Sequence, residues 1–189
     1  MLTTRELVAS LYGAYRLARF DPRGLGFFDS SPAGARRSFF AAAIVAPFYA
    51  LMLAAGPAGD GDVDSLRFGV VEGIAYVLSW VAYPVLVEWL TRLLGCRERF
   101  EAYLVAYNWS MVLQNAVVFP ITMLVGLGVL PPQVGQLLWF GVFLLILLYV
   151  GFIARAALGV TPATAAGLVL LDVLLSVLID GVAGALHRS

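Results

Sequence analysis

Long apolar runs alternate with short polar connections along most of the chain. Five such runs cover residues 38–55, 68–91, 102–127, 134–154 and 162–186. Each is close to the roughly 20 apolar residues that a helix needs to cross the hydrocarbon layer of a membrane. The runs are continuously apolar, whereas the strands of a membrane barrel alternate apolar and polar residues. The pattern therefore predicts an all-α membrane protein with five transmembrane helices.

The first twenty residues follow a different pattern, in which charged residues interrupt the apolar ones. They predict an amphipathic helix that begins with a capping box of Thr3 and Glu6. The apolar face of this helix comprises Leu7, Val8, Leu11, Tyr12, Ala14, Tyr15 and Ala18. The opposite face comprises Arg5, Glu6, Ser10, Gly13 and Arg16. Such a helix either lies in the membrane interface or packs on the protein's own spans, and the sequence leaves both arrangements open.

A loop that contains glycine and proline connects this helix to the first span, from Phe20 to Ser31. Ser31 directly before Pro32 is a signal for the start of a helix. We therefore predict two regions. Residues 1–37 form a cytoplasmic amphipathic helix with an interfacial loop, and residues 38–189 form the five-helix transmembrane domain.

The arginines are distributed unequally between the two ends of the predicted spans. Ten of them fall on one side: Arg5, Arg16, Arg19, Arg23, Arg36, Arg37, Arg92, Arg97, Arg99 and Arg155. The other side has Arg67 and Arg188, with Asp60, Asp62 and Asp64 in its first loop. Because basic residues are retained on the cytoplasmic side, we expect a bacterial inner-membrane protein with a cytoplasmic N-terminus and a periplasmic C-terminus.

Composition narrows the chemistry that the chain can support. The net charge is zero, so no nucleic-acid partner is expected. One cysteine and one histidine, Cys96 and His187, are too few for a bis-histidine haem, an iron–sulfur cage or a four-ligand zinc site. The sequence also lacks the motifs of serine hydrolases, zinc proteases and phosphate-binding loops. We therefore expect no enzymatic activity, catalytic residue, metal or cofactor.

Polar residues recur inside three of the predicted spans, and in each span they share one helical face. The polar stripes comprise Glu72, Tyr76, Ser79 and Tyr83 in the second span, Asn108 and Asn115 in the third, and Asp172, Ser176 and Asp180 in the fifth. These three spans are predicted to face one another around a polar seam, while the fourth, uniformly apolar span faces lipid. Helix rise places Glu72 level with Asp180, and Asp172 level with Ser79, Tyr83 and Asn115.

The predicted seam has two interpretations. Ionisable residues inside a span are costly, so they are candidates for a path that carries protons or small solutes. Alternatively, the polar side chains hydrogen-bond across helices and hold the bundle together, which contributes about 0.5–2 kcal/mol for each contact. The second interpretation is favoured because such contacts are common in membrane bundles.

Three short segments resemble those of small alphaproteobacterial membrane proteins grouped with the Yip family. They are FDPRG at Phe20–Gly24, VAYNWS at Val105–Ser110 and ARAALGV at Ala154–Val160. The arginine-rich N-terminus before five closely spaced spans is also similar to that family. The resemblance implies a role in membrane organisation or partner binding, without catalysis. The Asp-Leu-Tyr/Phe-Gly-Pro motif of the eukaryotic members is absent, so no functional residue carries over.

Pattern, composition and resemblance together predict a scaffold, an accessory subunit of a membrane complex or a membrane-organising factor. Its expected partners are the lipid bilayer and other membrane proteins, which would contact the lipid-facing helices and the N-terminal helix. The alternative is a small proton-coupled transporter or channel that uses the polar seam.

Overall fold

A computed structural model describes residues 2–55 and 65–188, and this part of the chain contains helices and no strands. The α-helices are α1 (Thr4–Ala18), α2 (Pro32–Ser38), α3 (Phe40–Ala55), α4 (Ser65–Leu93), α5 (Phe100–Gly126), α6 (Pro132–Leu158) and α7 (Pro162–Arg188). Two short 3₁₀ helices, Pro22–Phe27 and Arg97–Arg99, connect α1 to α2 and α4 to α5. The acidic loop with Asp60, Asp62 and Asp64 lies outside the described residues.

Five helical segments are long and apolar enough to cross a membrane, which confirms the predicted number. They cover Pro32–Ala54, Leu66–Leu93, Arg97–Gly126, Pro132–Leu158 and Pro162–His187. The first segment starts six residues earlier than predicted, because Ser31 caps α2 by accepting a hydrogen bond from the Gly34 amide at 3.0 Å. The helical path breaks at Phe39, so that α2 and α3 together replace the single predicted helix.

Helix α5 lies at the centre of the bundle and contacts α1, α2, α3, α4 and α6. Its first half is buried continuously from Tyr103 to Ser110, and Trp109 is among the largest fully buried side chains. Around it, α4 packs against α7 and α6 packs against both α5 and α7. Helix α6, predicted to face lipid, differs in burial between its two halves. Its first half is largely exposed, whereas Tyr149 and Ile153 in its second half belong to the core.

The N-terminal unit, which we define as residues 2–28, packs on the bundle and also presents an apolar surface. The buried side of α1 consists of Ser10, Gly13, Ala14 and Leu17. Two of these, Ser10 and Gly13, come from the face predicted to be polar. Val8, Tyr12 and Tyr15, predicted to lie on the apolar face, are exposed. Small side chains allow α1 to approach the 3₁₀ helix Pro22–Phe27 closely at Gly13 and α6 at Ala14, and this packing outweighs the hydrophobicity pattern.

Specific contacts fix the N-terminal unit in place. The Tyr149 hydroxyl of α6 donates a hydrogen bond of 2.7 Å to the Ala14 carbonyl. The Arg37 guanidinium of α2 donates to Glu6 of α1 at 2.8 Å. Asp21, at the end of the turn after α1, accepts hydrogen bonds from Arg23 and Arg16, which lower the pKa of its carboxyl group to about 2. The first two bonds hold the unit on the arginine-rich end of the bundle, and the bonds of Asp21 stabilise the turn inside the unit.

Candidate functional site

The first polar cluster joins α4, α5 and α7 through three tyrosines and one carboxylate. The Tyr107 hydroxyl of α5 lies 2.9 and 3.0 Å from the two carboxylate oxygens of Asp172 in α7, and donates its proton to that group. Tyr107 also contacts the rings of Tyr83 and Tyr103, at centroid distances of 5.0 and 5.9 Å. The structure thus brings Asp172 and Tyr83, two members of the predicted seam, to one place.

The hydroxyl groups of this cluster have one consistent proton arrangement. The Tyr83 hydroxyl lies 3.2 Å from the Leu168 carbonyl, which can only accept, so Tyr83 donates there. Its other neighbour, the Tyr103 hydroxyl at 2.9 Å, must then donate to Tyr83. Each hydroxyl proton therefore has an acceptor, and these bonds link the three helices.

The second polar cluster surrounds Glu72 and joins α3, α4 and α7. The Tyr49 hydroxyl donates to one carboxylate oxygen of Glu72 at 2.6 Å, and His187 Nε2 lies 2.7 Å from the other. The His187 ring stacks on Phe68 at a centroid distance of 4.8 Å. Its Nδ1 atom is buried and has no hydrogen-bond partner among residues 2–55 and 65–188. Asp180 is exposed and lies within electrostatic range of Glu72.

The remaining residues of the predicted seam face other parts of the bundle. The Asn108 amide donates to Ser38 of α2 at 2.8 Å, and the Asn115 amide donates to the Met111 carbonyl of its own helix at 2.9 Å. Asn115 also lines a cavity of about 360 Å³ between α3 and α5. Both asparagines thus point toward α2 and α3, away from Asp172.

Some residues of the polar stripes of α4 and α7 also lie outside the two clusters. The Tyr76 hydroxyl donates to the Ala42 carbonyl of α3 at 2.6 Å, and Ser79 donates to the Tyr76 carbonyl at 2.7 Å. Ser176 is exposed. Asp172 and Asp180 are eight residues apart, or about 12 Å along the helix axis. No hydrogen bond between described side chains connects the Asp172 and Glu72 clusters.

Sequence reasoning missed four residues of these clusters: Tyr49, Tyr103, Tyr107 and His187. The tyrosines of α5 carried a signal, because Tyr103 and Tyr107 are spaced by four residues and share a helical face. His187 carried no local signal, since it meets Glu72 only through the packing of α4 on α7.

The chemistry available to the clusters is hydrogen bonding and proton exchange. Among the described residues, no group of three or more histidine, cysteine, aspartate or glutamate side chains is placed to hold a metal ion. No protein-family model, curated protein or solved structure is significantly similar to this chain.

Proposed function

We propose that the chain is a multi-pass protein of the bacterial inner membrane that acts, without catalysis, as a scaffold or accessory subunit of a membrane complex. Five helices of sufficient length and apolarity support insertion into a membrane. The excess of arginine at one end of the helices supports a cytoplasmic N-terminus and a periplasmic C-terminus.

The proposed orientation predicts which loops a membrane-impermeant thiol reagent can reach. In a Cys96→Ala background, Gln133→Cys in the first turn of α6 should react in intact spheroplasts, because the proposed orientation places this end of α6 in the periplasm. Glu98→Cys between α4 and α5 should react only after the membrane is permeabilised. Both positions are exposed, so accessibility within the protein does not distinguish them. Labelling of Glu98→Cys alone in intact spheroplasts would establish the opposite orientation.

The observation that carries the scaffold proposal is the exposed side of α1. This helix is held on the bundle by its opposite side, yet Tyr12 and Tyr15 are each 48% exposed beside Val8. The Arg19 guanidinium lies over the Tyr15 ring at 5.8 Å. Tyrosine and arginine are enriched in the buried centres of protein interfaces. We infer that this aromatic–arginine stripe, Val8, Tyr12, Tyr15 and Arg19, binds a partner subunit that presents acidic and aromatic groups.

We expect substitutions in this aromatic–arginine stripe to weaken partner binding specifically. The double variant Tyr12→Ser/Tyr15→Ser should lower the recovery of a stoichiometric partner about tenfold or more, because interface tyrosines can each contribute more than about 1 kcal/mol. Recovery is measured by native mass spectrometry after gentle extraction from the protein's own membrane. The matched control is Leu127→Ser/Val129→Ser, which changes two exposed apolar residues at the other end of the bundle. Equal recovery with both double variants, or no partner with the unaltered protein, would contradict the proposal.

A second candidate function is proton-coupled transport, which the two polar clusters favour. The Asp172 carboxylate accepts from Tyr107, and Glu72 is bonded by Tyr49 and His187. Carboxylates, histidine and tyrosine are groups that pass protons in transporters. Transport ranks second because the clusters are not connected through described side chains, so that water would have to complete any relay between them.

A further inference from the structure

A groove between α6 and α7 opens on the outside of the bundle, with a volume of about 650 Å³. Its lining is apolar except at one end, and includes Phe143, Leu147 and Phe152 of α6 with Ala166, Val169 and Leu170 of α7. From Phe143 to Arg155 the groove follows twelve residues of α6, or about 18 Å. That length matches one leaflet of a hydrocarbon layer that is about 30 Å thick.

The end of this groove is marked by a cation, Arg155, that has no partner in the described part of the chain. Arg155 lies in the last turn of α6, is exposed, and lines the groove. Its guanidinium makes no hydrogen bond or ion pair within residues 2–55 and 65–188. Most other arginines at this end are engaged: Arg16 and Arg23 pair with Asp21, Arg37 with Glu6, and Arg92 and Arg97 with Glu88.

The backbone of Phe20 gives a second, independent indication that this end of the groove has a defined shape. Phe20 follows α1 with a φ of 56°, a left-handed conformation that residues other than glycine rarely adopt. This conformation directs the ring onto Phe152 of α6, at a centroid distance of 5.4 Å with the planes at 79°. Phe20 therefore forms a wall of the groove near Arg155, and Arg19 precedes it at the surface.

We propose that this groove binds one anionic phospholipid, with an acyl chain between α6 and α7 and the headgroup phosphate on Arg155. The apolar lining excludes water and matches the acyl chain. The Arg155 guanidinium, which no described residue engages, supplies two parallel donors to phosphate oxygens. Basic pockets between membrane helices bind anionic headgroups in this way. The lipid belongs to the leaflet at the arginine-rich end. This assignment requires membrane insertion but does not rest on the scaffold role.

The test is a titration of delipidated protein with phosphatidylglycerol or phosphatidylcholine of identical chains, followed by native mass spectrometry. One phosphatidylglycerol should bind more tightly than phosphatidylcholine. Arg155→Gln should weaken phosphatidylglycerol binding about tenfold, the value of a hydrogen bond to a charged group. Phosphatidylcholine binding should weaken less, because its choline cation offsets the charge of its phosphate. Ala166→Phe, which fills the groove from an exposed position, should weaken both lipids.

The control variant is Arg36→Gln, which removes another exposed arginine from the same end of the bundle. It should bind both lipids like the unaltered protein. An equal loss with Arg36→Gln and Arg155→Gln would show a general attraction to basic surface and would overturn the site. Equal affinities of the unaltered protein for the two lipids, or normal binding by Ala166→Phe, would overturn it as well.

Discussion

Gly24→Ala is expected to separate the 3₁₀ helix Pro22–Phe27 from α1 and so to open the N-terminal unit. A Cβ atom on Gly24 would lie 2.6 Å from the Gly13 carbonyl oxygen and 2.9 Å from Cγ of Leu17. The first of these neighbours is backbone and cannot move without shifting α1. Overpacking of this kind costs about 1–3 kcal/mol. Such a cost raises the population of the locally opened unit about 5- to 150-fold, and limited trypsin cleavage after Arg16 and Arg19 should accelerate to match.

Gly26→Ala is the matched control, because it makes the same substitution two residues later in the same 3₁₀ helix. A Cβ atom at Gly26 meets nothing within 4 Å. Its cleavage rate should therefore equal that of the unaltered protein. If Gly24→Ala also leaves the rate unchanged, the contact between α1 and the 3₁₀ helix at Pro22–Phe27 does not keep the unit closed.

The number of segments able to span a membrane was predictable because each depends on a local property, namely a continuous apolar run between polar residues. The observed helix ends differ from the predicted ones by a few residues where capping and turns determine them, as at Ser31 and Phe39. The rotation of α1 was not predictable in the same way. Its contact surface is set by how closely Gly13 and Gly24 approach, and a hydrophobicity pattern contains no information about close approach.

The predicted polar seam shows how much the direction of a side chain changes from one helix position to the next. Successive residues of a helix differ by about 100° in direction. Tyr107 therefore reaches Asp172 in α7, whereas its neighbour Asn108 reaches Ser38 in α2. The pattern singled out Asn108 and passed over Tyr107, although the Tyr107 hydroxyl makes the hydrogen bond to α7. His187 and Glu72 lie 115 positions apart, so only the folded chain brings them together.

Asp172→Leu is expected to lower the free energy of unfolding by about 1–3 kcal/mol, because it leaves the buried Tyr107 hydroxyl without an acceptor. Asp172→Asn should cost less than about 1 kcal/mol, since an amide oxygen still accepts that hydrogen bond. Adding Tyr107→Phe to Asp172→Leu should cost less than the sum of the single changes, with a coupling of about 0.5–3 kcal/mol. The measurement is equilibrium unfolding of the four species of this cycle in a defined detergent mixture.

The conservative variant Asp172→Asn also separates the two candidate functions. If the cluster only holds the helices together, liposomes containing the unaltered protein and liposomes containing Asp172→Asn should show the same background proton flux. If the chain is a transporter, the unaltered protein should carry protons, and Asp172→Asn should abolish the flux because an amide does not exchange a proton as a carboxyl group does. The stability measured for Asp172→Asn is the control for this comparison: a variant that folds normally but has lost flux identifies a transport function and excludes a purely structural role for Asp172.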